Sequence, residues 1–152
     1  MLISAHPVSV DAKGRVSIPA RFREHLSATY GDQVILIGKD GCIFVYPVQE
    51  WKRKFSQKLK ELSTSSKEVR RTLRRLYGRA ESCEFDRQGR ILLPAKLRSN
   101  SSIEKDAVIA GIENRLEIWD KAKWNEEMGD VEDGESGTAD EESAEDLIEF
   151  EF

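Results

Sequence analysis

Two stretches of this chain put the same side chains at the same spacing: Asp11-Ala-Lys-Gly-Arg-Val-Ser-Ile-Pro-Ala-Arg-Phe-Arg23 and Asp86-Arg-Gln-Gly-Arg-Ile-Leu-Leu-Pro-Ala-Lys-Leu-Arg98. The chemistry they offer is recognition rather than reaction. An arginine fork matches a phosphate, or O6 and N7 of guanine, through two parallel hydrogen bonds. Each stretch gathers cations at an Asp-x-x-Gly-Arg segment and just after it: Lys13, Arg15, Arg21 and Arg23 in the first, Arg87, Arg90, Lys96 and Arg98 in the second. A two-stranded ribbon with such residues at its tip fits the DNA major groove. A second reading fits as well: Arg15 and Arg90 pair with Asp11 and Asp86 and simply hold the turn. Spacing alone leaves both open.

Nothing in the sequence assembles a reaction centre. His6 and His25 lie far apart and belong to no H-E-x-x-H motif. Cys42 and Cys83 read as core or interface residues, since zinc needs paired ligands at short spacing. Gly38-Lys-Asp-Gly41 lacks the spacing of a phosphate loop. The acids concentrate near the C-terminus, where nothing fixes a catalytic geometry. We therefore expect no enzyme, no cofactor, no metal and no small-molecule substrate.

The elements that must position the cations follow from the repetition. The match continues after a two-residue slip, with Gly38, Ile43, Val45, Tyr46 and Trp51 opposite Gly111, Leu116, Ile118, Trp119 and Trp124, so the chain is a tandem duplication. Val8, Val10, Val16 and Ile18 alternate around the turn, predicting a hairpin, and a second one is expected around Asp86–Arg90. Asp11 and Asp86 accept backbone hydrogen bonds across these turns, and Gly14 and Gly89 supply positive φ. Each hairpin leads to a short helix, Ala20 to about Leu26 and near Ala95–Arg98. Strands follow at Gln33–Ile37 and Cys42–Tyr46, then near Ala107–Ala110 and Arg115–Trp119. Between the repeats, Val48, Trp51, Phe55, Leu59 and Leu62 step at helical spacing, as do Val69, Leu73, Leu76 and Tyr77, with a capping box at Ser65–Glu68. Repeats this small bury little alone, so their strands should pair with each other while the helices cover one side. Trp51 and Trp124 should be packing anchors. The expected organisation is a first repeat over 5–51, connecting helices over 52–80, a second repeat over 81–124 and a tail over 125–152.

Charge divides the chain the same way. The net charge of −4 is a sum of +9 over residues 1–124 and −13 over residues 125–152, which hold no basic residue. A cationic body suits a phosphate partner. Arg70, Arg71, Arg74, Arg75 and Arg79 form a further cluster on the second linker helix, which reads more readily as a solvated face. The tail, rich in glycine, serine and acids, cannot offset chain entropy by burial and is expected to be disordered, except that Leu147–Phe152 alternates like a short strand. Apolar runs fall far short of the roughly 18 residues that span a bilayer, and no basic region precedes the first apolar residues. A cytoplasmic protein without membrane contact is expected.

The two Asp-x-x-Gly-Arg stretches, the second preceded by Cys83-Glu-Phe, together with Gly41-Cys-Ile-Phe-Val-Tyr-Pro and Leu116-Glu-Ile-Trp-Asp, resemble the MraZ family of bacterial transcriptional regulators over residues 5–124. The resemblance implies an α+β fold of two SpoVT/AbrB-like β-rich repeats, a swapped-hairpin, double-psi-barrel-like pseudo-dimer. It implies a homo-oligomeric ring that binds direct repeats in promoter DNA upstream of a division and cell-wall gene cluster, usually repressing it at the nucleoid. Carried onto this sequence, the DNA contacts are Lys13 and Arg15, then Arg87 and Arg90. Gln88 stands opposite Lys13, so the first hairpin is the expected principal reader. The alternatives are a ring-forming scaffold without DNA binding and an antitoxin-like AbrB-type module, the latter disfavoured by the duplication. The tail departs from the family pattern. It reads as a solubilising extension or, more sharply, as a competitor whose acids occupy the basic hairpins while Leu147–Phe152 docks on a strand edge.

Overall fold

The computed structural model of the chain describes residues 1–63 and 65–132. The first half contains β1 (Ala5–Ser9), β2 (Arg15–Ser17), α1 (Ala20–Thr29), β3 (Gln33–Lys39) and β4 (Cys42–Pro47). The connection comprises α2 (Val48–Trp51), a π-helical turn (Lys52–Ser56), α3 (Gln57–Leu59) and α4 (Lys67–Arg79). The second half repeats the first with β5 (Glu81–Glu84), β6 (Arg90–Leu92), α5 (Ala95–Asn100), β7 (Asp106–Ile112) and β8 (Arg115–Asp120), followed by α6 (Lys121–Glu132). The fold is α+β and rich in antiparallel sheet.

The local hairpins expected around Asp11 and Asp86 do not form as closed ribbons. Within the first, Val10 and Val16 make only an isolated bridge. Instead β1 pairs with β7 of the second half, and β5 pairs with β3 of the first. β2 pairs with β6, so each half lends strands to the other. The six-stranded order β1-β7-β8-β4-β3-β5 reads the same from either end once the halves are exchanged, with the pseudo-twofold between β4 and β8. The physical reason is burial: a single half offers too little apolar surface to close a core, whereas interlocked halves share one.

Period-two alternation then explains both faces. In β4, Ile43 and Val45 enter the larger core beside Val16, Ile18, Phe22, Ile91 and Leu93, whereas Cys42, Phe44 and Tyr46 enter a second core on the opposite face. The connecting helices cover that second face with Trp51, Phe55 and Leu76, as the sequence led us to expect. The π-helical turn carries Phe55 onto Trp51, with ring centroids 4.5 Å apart, and Tyr46 meets Phe55 edge-on at 5.7 Å. Such pairs add about 0.5–1.5 kcal/mol each beyond buried area. Trp124 packs partly buried against Trp119, its centroid 5.9 Å away.

Two details differ from the expected boundaries. The cap of α4 is Ser66, whose Oγ accepts from the Val69 amide at 3.4 Å. The third helical position is thus a valine that returns no bond, and the box reduces to a one-way cap. Helix α6 continues to Glu132 and takes in the first eight residues of the acidic stretch. Residues 133–152, including Leu147–Phe152, lie outside the described residues.

Candidate nucleic-acid interface

Each Asp-x-x-Gly turn is built from its own acid. The Asp11 carbonyl accepts from the Gly14 amide at 2.9 Å, closing the turn. The Asp11 carboxylate accepts from the amides of Lys13 (3.0 Å) and Arg15 (2.8 Å) through Oδ1, and from Arg15 Nε at 2.7 Å through Oδ2. The second turn repeats this set: the Asp86 carboxylate accepts from the amides of Gln88 (2.8 Å) and Arg90 (2.9 Å) and from Arg90 Nε (2.9 Å). Gly14 and Gly89 hold φ of +91° and +74°, a region that side chains other than hydrogen populate at a cost.

These bonds hold both carboxyls below the ordinary value of 3.8. The Arg15 amide is the largest cause at Asp11 and the Arg90 amide at Asp86; desolvation, next in size, opposes them, and the guanidinium adds to them. A depressed carboxyl stabilises the fold above its unfolded pKa, and that contribution is lost as pH falls through the folded value. Thermal melts followed by circular dichroism should therefore lose stability as pH falls below about 4, and Asp11→Asn/Asp86→Asn should flatten that acid limb. An unchanged limb would remove the turns from the acid response.

The pairing of β2 with β6 joins the two turns into one unit. Arg15 faces Leu92, Val16 faces Ile91 and Ser17 faces Arg90, with the pseudo-twofold through the middle pair. The ladder extends at both ends through Leu93 N–H to Gly14 O (2.8 Å) and Ile18 N–H to Gly89 O (3.1 Å). Val16 and Ile91 are buried, so alternation turns Arg15, Ser17, Arg90 and Leu92 outward. Arg15 and Arg90 are diagonal neighbours, about 7–8 Å apart in such a ladder and somewhat less between Cβ atoms. Their side chains are 35% and 26% exposed, and only Nε is taken by the aspartate among the described residues. The pairing read as purely structural is therefore present, yet it also fixes each guanidinium and leaves its terminal nitrogens available.

The remaining cations separate by role. Lys13 and Arg87 are exposed at the two tips, one on each, at non-equivalent turn positions. Arg21 and Lys96 are exposed at the starts of α1 and α5. Arg23 and Arg98 are half-buried and turn back onto the backbone. Arg98 Nε donates to Leu93 O at 3.0 Å and lies over Gly14, whereas Arg23 donates to Ile18 O at 3.4 Å and lies over Gly89. Each repeat's last arginine thus braces the other repeat's turn. Sequence reasoning passed over Ser17 and Leu92, the latter 54% exposed, although the buried-middle triplets Arg-Val-Ser and Arg-Ile-Leu carried the signal.

The cysteines serve packing. Cys42 is buried and donates to Lys39 O at 3.2 Å; burial also pushes the Cys83 thiol up to about 11. Among the described residues no helix is long and apolar enough to cross a membrane.

Comparison with known proteins agrees with the tandem duplication. The family model described as "MraZ protein, putative antitoxin-like" matches the chain twice, over residues 1–75 and 76–146. A protein of Pediococcus pentosaceus named "Transcriptional regulator MraZ" is 41% identical over 142 residues, 93% of each chain. A protein of the same name from Limosilactobacillus reuteri is 44% identical over 88% of this chain and 91% of its own. One from Thermoanaerobacter sp. strain X514 is 45% identical over 83% of this chain and 85% of its own. Two matches in tandem, covering both Asp-x-x-Gly-Arg turns and the sheet they share, establish that this chain belongs to the MraZ family.

Proposed function

We propose that this chain is a DNA-binding transcriptional regulator that reads duplex DNA with the outward face of the β2–β6 ribbon. The observation that carries the reading is the pair of aspartate-anchored arginines, Arg15 and Arg90, side by side across the pseudo-twofold. A major groove about 12 Å wide accommodates both forks at once. Because each fork is already oriented by its aspartate, little rotamer freedom is lost on binding. Lys13 and Arg87 flank the forks and meet phosphates, which position the ribbon without carrying sequence information.

One ribbon makes few base contacts. A ring of copies engaging successive direct repeats in a promoter gains effective concentration, worth about 10²–10⁴ in avidity without any new contact. Occupying the promoter of its own division and cell-wall gene cluster, such a ring represses it. The +9 charge of residues 1–124 and the repeated tips favour this reading over a scaffold that binds only protein.

The test is an electrophoretic shift titration with duplex DNA from directly upstream of the chain's own gene and a shuffled duplex of equal length, over a salt series. Binding should favour the upstream duplex and fall steeply with salt as condensed counterions are released. Equal affinity for both duplexes would overturn sequence reading, and a flat salt response would overturn phosphate contact.

A further inference from the structure

Helix α4 holds the most lopsided charge among the described elements. Its basic residues are Lys67, Arg70, Arg71, Arg74, Arg75 and Arg79, against one acid, Glu68. Val69, Leu73 and Leu76 share one stripe, of which Leu76 is buried in the second core, so the opposite stripe of Lys67, Arg71, Arg74 and Arg75 points away from the body. Those four are exposed, and among the described residues no carboxylate pairs with Arg71, Arg74 or Arg75. The ribbon differs, because Arg15 and Arg90 already carry their own aspartates and only Lys13 and Arg87, one on each tip, stand beside them. An acidic ligand would therefore find the densest row of cations without a paired carboxylate, among the described residues, on α4.

The chain contains such a ligand. Residues 133–152 hold nine acids and no basic residue, and they end in Leu147-Ile-Glu-Phe-Glu-Phe152. Helix α6, which leads into this segment, starts from the same end of the sheet that α4 reaches. Arg79 at the end of α4 donates to Gly38 O at 2.8 Å, and Lys123 at the start of α6 lies against Gly41 on the same β3–β4 turn. From that turn, α6 extends about 18 Å and α4 about 20 Å at 1.5 Å per residue. Twenty residues of extended chain span about 66 Å, enough to return along the whole of α4. Tyr77, 41% exposed beside the basic stripe, offers apolar surface to the phenylalanines.

We propose that the outward arginine face of α4 is the docking surface for the acidic C-terminal segment, residues 133–152, of this chain. Tethering makes even a weak contact count, since the segment is present at an effective millimolar concentration. Docked there, the segment neutralises a cationic face that would attract any phosphate backbone. Sequence reading is then left to the ribbon, a consequence that rests on the function proposed above.

The test uses a fluorescein-labelled peptide of residues 133–152 and the full chain with its nine segment acids changed to the corresponding amides, so that its own segment does not compete. Fluorescence anisotropy at low salt should show saturable binding that disappears at high salt. Arg71→Ala/Arg74→Ala/Arg75→Ala in that chain should weaken it by about tenfold, the three lysine replacements should retain it, and Arg15→Ala/Arg90→Ala should change it less than about twofold. Melting by circular dichroism verifies that each variant is folded. No saturable binding, or binding indifferent to the α4 substitutions, overturns the proposal. Loss on Arg15→Ala/Arg90→Ala instead places the segment on the ribbon. A fall in particle mass by light scattering for the α4 variant, with no peptide binding, makes the face an interface between copies. No arm contains DNA, so failure here and failure of the DNA-binding reading are read separately.

Discussion

Arg15→Ala is expected to weaken binding to the upstream duplex by about 5- to 150-fold, the range for one bidentate arginine–guanine pair worth about 1–3 kcal/mol. Arg75→Ala, remote on α4, should cost less than about twofold. The difference follows from what each side chain is attached to. Arg15 is oriented by Asp11 through a 2.7 Å bond and stands on a ribbon fixed at both ends by backbone hydrogen bonds. Arg75 stands on an exposed helix face with no such orienting partner among the described residues. Losing the Arg15 guanidinium leaves the Asp11 carboxylate with two backbone donors, so the turn should persist and the melting temperature should move little. Arg15→Lys separates the two uses of the residue: the charge and hence the salt slope survive, but the planar fork and the preference over shuffled DNA are lost. Equal losses for Arg15→Ala and Arg75→Ala in the shift titration would end the assignment of the ribbon as reader. Arg90→Ala should fall between them, since Gln88 replaces the lysine beside it.

Gly14→Ala should destabilise the fold by about 2–4 kcal/mol, a drop in melting temperature on the order of 4–16 °C. Two costs combine. The φ of +91° strains any L side chain. A Cβ there would also lie 2.8 Å from Leu93 O and 2.7 Å from Arg98 Nε. Arg98 could swing aside, but the Leu93 backbone is held by its own amide bond to Gly14 O at 2.8 Å. Gly31→Ala isolates the first cost: φ is +95° and nothing lies within 4 Å, so about 1–2 kcal/mol is expected. Gly89→Ala should fall between the two, because the three atoms nearest its Cβ all belong to the flexible Arg23 side chain. Differential scanning calorimetry of the three variants orders them. If Gly14→Ala melts with Gly31→Ala, the close approach of the two turns is not a stabilising contact.

Much of the site is legible along the chain because its parts are local. Asp, Gly and Arg at fixed offsets make a turn whose acid reaches its own amides and its own arginine, and that geometry needs nothing distant. The continuous apolar run Cys42–Tyr46 marks a strand buried on both faces for the same reason. The brace roles of Arg23 and Arg98 are not legible, because each depends on a glycine 66 or 84 residues away whose missing Cβ opens the space. The outward pairing of Arg15 with Arg90, and the exposure of Leu92, depend likewise on β2 finding β6.

By itself, then, the sequence determined the duplication, the two acid-closed turns, the arginine at each tip and the separation of a +9 body from a −13 end. These are properties of residue type and spacing over a few positions, where chain connectivity already sets the distances. Only the tertiary structure decided which strands pair. Periodicity specifies which side of a strand is buried but not what buries it, and here each half is covered by the other. That exchange turns two separate tips into one face with two arginines, withdraws Arg23 and Arg98 from it, and leaves the row on α4 as a second cationic surface.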